Sequence, residues 1–150
     1  MKKIFLDVDG VLYSKDGESL IRYPQGKNDS KFTVPDGVTD ICEKAFEGCS
    51  QLKKVVISDS VRFIGGYAFK GCDLKAVEFP TAYNWVLTSY IDGMPRHVGW
   101  LSADCLKDGK IAAKYLCKKY SDYMWTPMQE VPDESEIKNL EIIKRRGKKI

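Results

Sequence analysis

Between Lys31 and Pro80 the apolar positions fall twice into the same order. Phe32–Lys54 (FTVPDGVTDICEKAFEGCSQLKK) is followed by Val55–Ala76 (VVISDSVRFIGGYAFKGCDLKA), and a third start, VEFP, opens at Val77. Val38 matches Val61, Ile41 matches Ile64, and Ala45-Phe46 and Gly48-Cys49 match Ala68-Phe69 and Gly71-Cys72. The offset is 23 residues, falling to 22 after Cys72. A period of this size marks stacked repeats, in which no single unit can bury its own apolar face. Side chains alternate along a strand, so Val55 and Ile57 are expected to point inward and Val56 outward. The rest of each unit returns the chain, its Ile, Ala-Phe and Cys positions filling the interior and its glycines suiting a tight turn.

The flanks read differently. Gln25–Ser30 is a polar loop, and Asp29 stands where Leu52 and Leu74 stand later, so the first unit is atypical in the manner of a terminal repeat. After Pro80 the pattern stops. Thr81–Trp100 holds Tyr83, Trp85, Tyr90 and Trp100, with a short strand expected at Trp85-Val86-Leu87 and a turn at Asp92-Gly93-Met94-Pro95. Asp108-Gly109 precedes a predicted helix from Lys110 to about Tyr123. Ala112, Leu116, Tyr120 and Met124 recur every four residues along it, with Lys114, Lys118 and Lys119 on the wet side. Trp125-Thr126-Pro127 should end it and Met128–Pro132 should be a linker. A last helix is predicted from Asp133, with Glu136 in the capping-box position and Ile137, Leu140 and Ile143 turned inward, closed by Gly147.

Leu52-x-x-Val55-x-Ile57 and Leu74-x-x-Val77-x-Phe79 follow the L-x-x-L-x-L strand grammar of leucine-rich repeats. Val34-Pro35…Val38…Ile41…Ala45-Phe46…Gly48-Cys49…Leu52…Val55 further resembles the BspA-like bacterial leucine-rich repeats. The resemblance covers about a third of the chain, Asp29 to Pro80. Asp9–Gly17 and Leu20–Pro24 resemble that family's opening segment and extend the likeness to over half. There Asp16-Gly17 is a hairpin turn joining Val11-Leu12-Tyr13 to Leu20–Tyr23, a cap for the first edge of the stack. Two departures stand out: Ser58 replaces the usual Pro, and Cys42 the Gly seen at Gly65.

Composition narrows the class. The 150 residues are one domain's worth, and 43% apolar with 30% charged residues describes a folded chain, not a disordered one. A net charge of +3 is too small to argue for nucleic acid by itself. No apolar run approaches 18 residues, and Ile4-Phe5-Leu6 is cut off by Asp7 and Asp9 before it could form a signal-peptide core. Five cysteines, an odd number without C-x-x-C, fit thiols packed in a reducing compartment, and with them a cytoplasmic location. A single histidine, His97, leaves little for a metal cluster or a Ser-His-Asp triad. It reads as a structural or solvent-exposed residue in a turn.

Two other chemistries compete. Ile4–Leu12 resembles the first motif of haloacid-dehalogenase-like phosphohydrolases, in which the aspartates matching Asp7 and Asp9 would serve as nucleophile and acid/base around Mg²⁺. The later strands, lysine and acidic pair of such an enzyme have no counterpart further along. Lys144, Arg145, Arg146, Lys148 and Lys149 put five cations in the last seven residues, a candidate grip on RNA or DNA phosphate. The same cations also suit a last helical turn.

The sequence therefore predicts an α+β protein: a short leucine-rich-repeat solenoid of parallel strands with an N-terminal β-hairpin cap and a C-terminal helical segment. Its divisions are a cap at 1–28, repeats at 29–80, a C-terminal cap with a helix at 81–130, and a terminal helix with basic tail at 131–150. The expected role is a non-enzymatic, cofactor-free module that binds a protein partner, an intracellular binder, adaptor or inhibitor. The predicted face is Thr33, Val56 and Glu78, one outward position per strand, flanked by Lys31, Lys54 and Ala76.

Overall fold

The computed structural model describes the backbone of residues 4–6 and the whole of residues 10–80 and 83–131. Strand β2 (Leu12–Ser14) pairs antiparallel with both β1 (Ile4–Leu6) and β3 (Ser19–Arg22). The β2–β3 turn forms because the Asp16 carboxylate accepts from both the Ser14 hydroxyl (2.6 Å) and the Glu18 N–H (2.9 Å), while Gly17 takes φ +77°. This is the predicted hairpin.

Each repeat then contributes two short strands, not the single one expected. β4 (Lys31–Thr33), β6 (Lys54–Val56) and β8 (Ala76–Glu78) form a wholly parallel three-stranded sheet. β5 (Asp40–Ile41) and β7 (Phe63–Ile64) add in parallel to β3, pairing Leu20 with Ile41 and Ile41 with Ile64. Two residues are too few to show a period of two, which is why the second strand of each unit escapes a pattern reading.

Between these layers equivalent side chains stack. Phe46 lies 4.5 Å from Phe69 at 9° and 5.2 Å from Tyr23 at 24°, centroid to centroid, so the hairpin supplies the first ring of a column that the repeats continue. Tyr23, Phe46, Phe69, Ile41, Ile64, Val55 and Val77 are all buried. The returning turns are held in register by the same bond in successive units: the Phe46 N–H donates to the Ala68 carbonyl (2.7 Å), as the Tyr23 N–H does to that of Ala45 (2.8 Å).

Beyond the repeats the chain changes sense. β9 (Trp85–Ile91) and β10 (Met94–Leu101) make an antiparallel hairpin through Asp92-Gly93, both with positive φ as a two-residue turn requires. Helices α1 (Ala103–Leu106) and α2 (Gly109–Lys114) follow, capped by the Ser102 hydroxyl and the Asp108 carboxylate. β11 (Met124–Pro127) then pairs antiparallel with β9 and, through Trp125 and Ile64, with β7. The larger sheet has the order β1-β2-β3-β5-β7-β11-β9-β10 and is therefore mixed: the repeat strands β5 and β7 pair in parallel, as expected of repeat strands, between antiparallel strands on either side.

The C-terminal helix is shorter than its periodicity suggests. After Lys114 one wide turn, Tyr115–Lys119, carries an i+5 bond from the Tyr120 N–H to the Tyr115 carbonyl (2.8 Å), and the helix stops there. Met124 belongs to β11, and Met128–Glu130 is a single 3₁₀ turn where a linker was expected. Trp125 explains the outcome: it is fully buried, stacks on Phe79 at 5.5 Å, and donates its indole N–H to the Tyr120 carbonyl (3.1 Å). The predicted helix from Asp133 lies outside the described residues.

Replacing Phe46 by Ala removes the middle ring of the column and should cost about 3–5 kcal/mol of unfolding free energy, measured by urea denaturation. A loss below about 1 kcal/mol would mean that the column does not hold the repeats together.

Candidate functional site

The outward rows of the three-stranded sheet are set by its register. Lys31 pairs with Lys54 and Lys54 with Ala76; Thr33 pairs with Val56 and Val56 with Glu78. Phe32, Val55 and Val77, between these rows, turn to the interior, where Phe32 packs against Tyr23 (5.0 Å) and Phe46 (5.8 Å). The six residues expected to form a binding face are thus brought together as two continuous three-residue rows on one surface. Lys31, Thr33 and Glu78 are exposed, while Lys54, Val56 and Ala76 are half-buried.

Charge on this surface is mixed. The Lys54 Nζ reaches the Glu78 carboxylate at 3.3 Å across the β6–β8 edge. Both groups are well exposed, so this pair positions side chains more than it stabilises the fold. The face is bounded at β8 by α2, whose first residue, Gly109, lies close to Val77 and Ala76. A cleft of about 430 Å³ opens there between Lys54, Ala76 and Glu78 on the strand side and Leu106, Lys107 and Gly109 on the helix side. Sequence reasoning missed this helical wall, because no local signal ties α2 to a strand more than thirty residues earlier.

The remaining candidates fall elsewhere. Asp7 and Asp9, the pair for phosphoryl chemistry, lie outside the described residues, as do the five tail cations Lys144, Arg145, Arg146, Lys148 and Lys149. Among the described residues no three His, Cys, Asp or Glu side chains come together as a metal site, and no helix is long and apolar enough to cross a membrane. His97 stands in β10 and not in a turn; its Nδ1 and the Thr88 hydroxyl are 2.9 Å apart, across the β9–β10 pair.

The cysteines form part of the stack. None of the five is in a disulfide, and only Cys42 is not fully buried. Cys49 and Cys72 occupy the same repeat position, the Cys72 thiol donating to the Phe46 carbonyl (2.9 Å) and the Cys49 thiol approaching that of Tyr23 (3.5 Å). The neighbouring Cys49 thiol, together with burial, pushes Cys72 well above the ordinary thiol range, and burial pushes Cys117 up to about 11. Cys49 is lowered by the neighbouring Cys72 thiol but is only 1% exposed.

With this geometry in place, comparison with known proteins gives the class. The family model for the BspA type leucine rich repeat region (6 copies) matches residues 25–90, ten residues beyond the last repeat strand legible in the pattern. Over these residues the chain is thus similar to leucine-rich repeat regions of the BspA type. Among solved structures, the pneumococcal vaccine antigen PcpA matches at 35% identity and TM-score 0.50 over 53% of this chain. A leucine rich cell surface protein from Faecalibacterium prausnitzii A2-165 matches at 41% identity and TM-score 0.46 over 49%. The chain spans only 20% and 21% of the length of those two proteins. No curated protein gives a significant match. Leucine-rich repeats are, as a class, protein-interaction modules.

Burial predicts the chemistry of the thiols. In the native chain at neutral pH, an aromatic disulfide reagent should label one thiol rapidly, Cys42, and the other four only on unfolding. Rapid native labelling of Cys49 or Cys72, read by peptide mass, would contradict the stacked arrangement.

Proposed function

We propose that this chain is a non-enzymatic binding module, a short leucine-rich-repeat solenoid that takes a protein partner on the outward face of β4, β6 and β8. The observation that carries this reading is the register of the two outward rows, which aligns Lys31, Lys54 and Ala76 beside Thr33, Val56 and Glu78. Val56 is an apolar side chain at the centre of this surface, with an exposed hydroxyl on one side and a carboxylate on the other. A partner that buries it would gain apolar contact there and polar contacts around it. The cleft beside α2 would supply an edge against which such a partner is fixed.

The role we favour is an intracellular binder, adaptor or inhibitor in the cytoplasm. Five thiols without a disulfide, two of them neighbours at one repeat position, support a compartment where thiols stay reduced. The solved relatives include a protein described as a cell surface protein, so fractionation of the native cell decides this point directly.

The test is capture from native lysate, with and without nuclease, using the wild-type chain, Val56→Glu and, as a control far from the face, Lys15→Glu. Val56→Glu should reduce recovery of the bound protein at least about tenfold, equivalent to about 1.4 kcal/mol, with an unchanged melting temperature. Lys15→Glu should capture as well as wild type. Equal capture by Val56→Glu would remove the binding site from this face, and capture that vanishes with nuclease would transfer the role to the basic tail.

A further inference from the structure

The opposite surface of the molecule, the outer face of the larger sheet, carries a groove of its own. Two adjoining clefts of about 290 and 220 Å³ share Phe63, Thr88, Tyr90 and Met124 as their floor. One end is closed by Glu43 and Asp122, the other by Glu130 and Val131. Tyr90, at 63% exposure, adjoins Ile91 and Met94 at the tip of the β9–β10 hairpin. These are the three large apolar side chains that the described residues leave most exposed. A floor of Phe63 and Met124 that ends in so exposed a ring as Tyr90 is a surface built to be covered.

The chain itself passes the groove on its way out. Val131 packs against Val86 and Trp100 on the same outer face, with Met128 beside them, so the described part of the chain ends at the groove. From there the sequence reads Pro132-Asp133-Glu134-Ser135-Glu136-Ile137, the capping box of a predicted helix, and then Leu140, Ile143 and the cluster Lys144-Arg145-Arg146. These residues lie outside the described part of the structure, but their spacing can be compared with it. Along β9, Val86 to Tyr90 spans four residues of strand, about 13 Å. Ile137 to Arg145 spans eight residues of helix, about 12 Å. A helix that begins beside Val131 and follows the strands would lay Ile137, Leu140 and Ile143 along the shared floor. Its cations would then arrive at the far end, where Glu43 and Asp122 stand; Asp122 already holds Lys70 at 3.4 Å and keeps a second carboxylate oxygen for another cation.

We infer that the groove formed by Phe63, Thr88, Tyr90 and Met124 is the docking site of this chain's own segment 133–146, held by Ile137, Leu140 and Ile143 on its floor and by Lys144–Arg146 at its acidic end. The repeat face lies on the other sheet, so this contact leaves Lys31–Glu78 open to a partner. It also assigns the tail cations to protein carboxylates ahead of phosphate.

Limited trypsin digestion of the full-length chain tests this, because cleavage at Lys138, Lys144, Arg145 and Arg146 follows the fraction of time the segment is undocked. Tyr90→Glu alters the groove at a position too exposed to threaten the fold, and Leu140→Glu alters the segment. Each should speed cleavage at these sites about tenfold, with an unchanged melting temperature and unchanged cleavage elsewhere. Wild-type cleavage as fast as in both variants would show that nothing covers the segment. Slow cleavage in wild type and in Tyr90→Glu alike would place the segment elsewhere. Protection that grows with protein concentration alongside a dimeric mass would make the occupant a second copy's segment and overturn the intramolecular contact.

Discussion

Everything in this fold depends on the in-register parallel alignment of units 23 residues apart. Once Leu20, Ile41 and Ile64 pair in sequence on one sheet, and Phe32, Val55 and Val77 on the other, each inward side chain meets its own equivalent from the neighbouring unit. The ring column of Tyr23, Phe46 and Phe69 and the equivalent thiol-to-carbonyl bonds of Cys49 and Cys72 are consequences of that alignment, not separate devices. A shift by one residue would reverse every side chain, placing Val56 in the core and Val55 in water. The apolar sequence makes that costly, so the register is strongly fixed.

The same alignment creates the surface rows. Outward residues in a parallel stack line up as strictly as inward ones, so a set of three positions scattered over 46 residues becomes a row three strands wide. The fold supplies the row and the sequence is left to choose its chemistry. Here it chose lysines on one side, a carboxylate on the other and an apolar side chain at the centre.

How much of this could be read beforehand follows from the range of each interaction. The repeats, the inward and outward alternation and the Asp16-Gly17 hairpin depend on contacts that are local or periodic, and the chain displays them openly. The two-residue strands β5 and β7 were invisible because they are stabilised by neighbours 21 to 61 residues away and carry no pattern of their own. The helix ending at Lys119 was misjudged because Met124 kept the helical period. Trp125 gained more from the buried slot beside Phe79 than a further helical turn would have given it, and only tertiary structure contains that slot. The wall that α2 makes beside Ala76 was missed for the same reason.

The antiparallel sense of β11 has a consequence for how such an array lengthens. Where the Lys44 N–H donates to the Gly66 carbonyl of the next unit, the equivalent Tyr67 N–H donates to the Ser121 carbonyl (2.8 Å), so the segment before β11 fills the place of a following repeat. Trp125 then meets Ile64 in the opposite direction. A parallel ladder has polarity and accepts another identical unit only in the same sense; a reversed strand ends that sequence of additions. Duplication of a whole 23-residue unit is therefore compatible with this architecture between the hairpin and β11, where both neighbours run the same way, and not beyond it. The repeat array is thus variable in its middle and bounded by the hairpin on one side and β11 on the other.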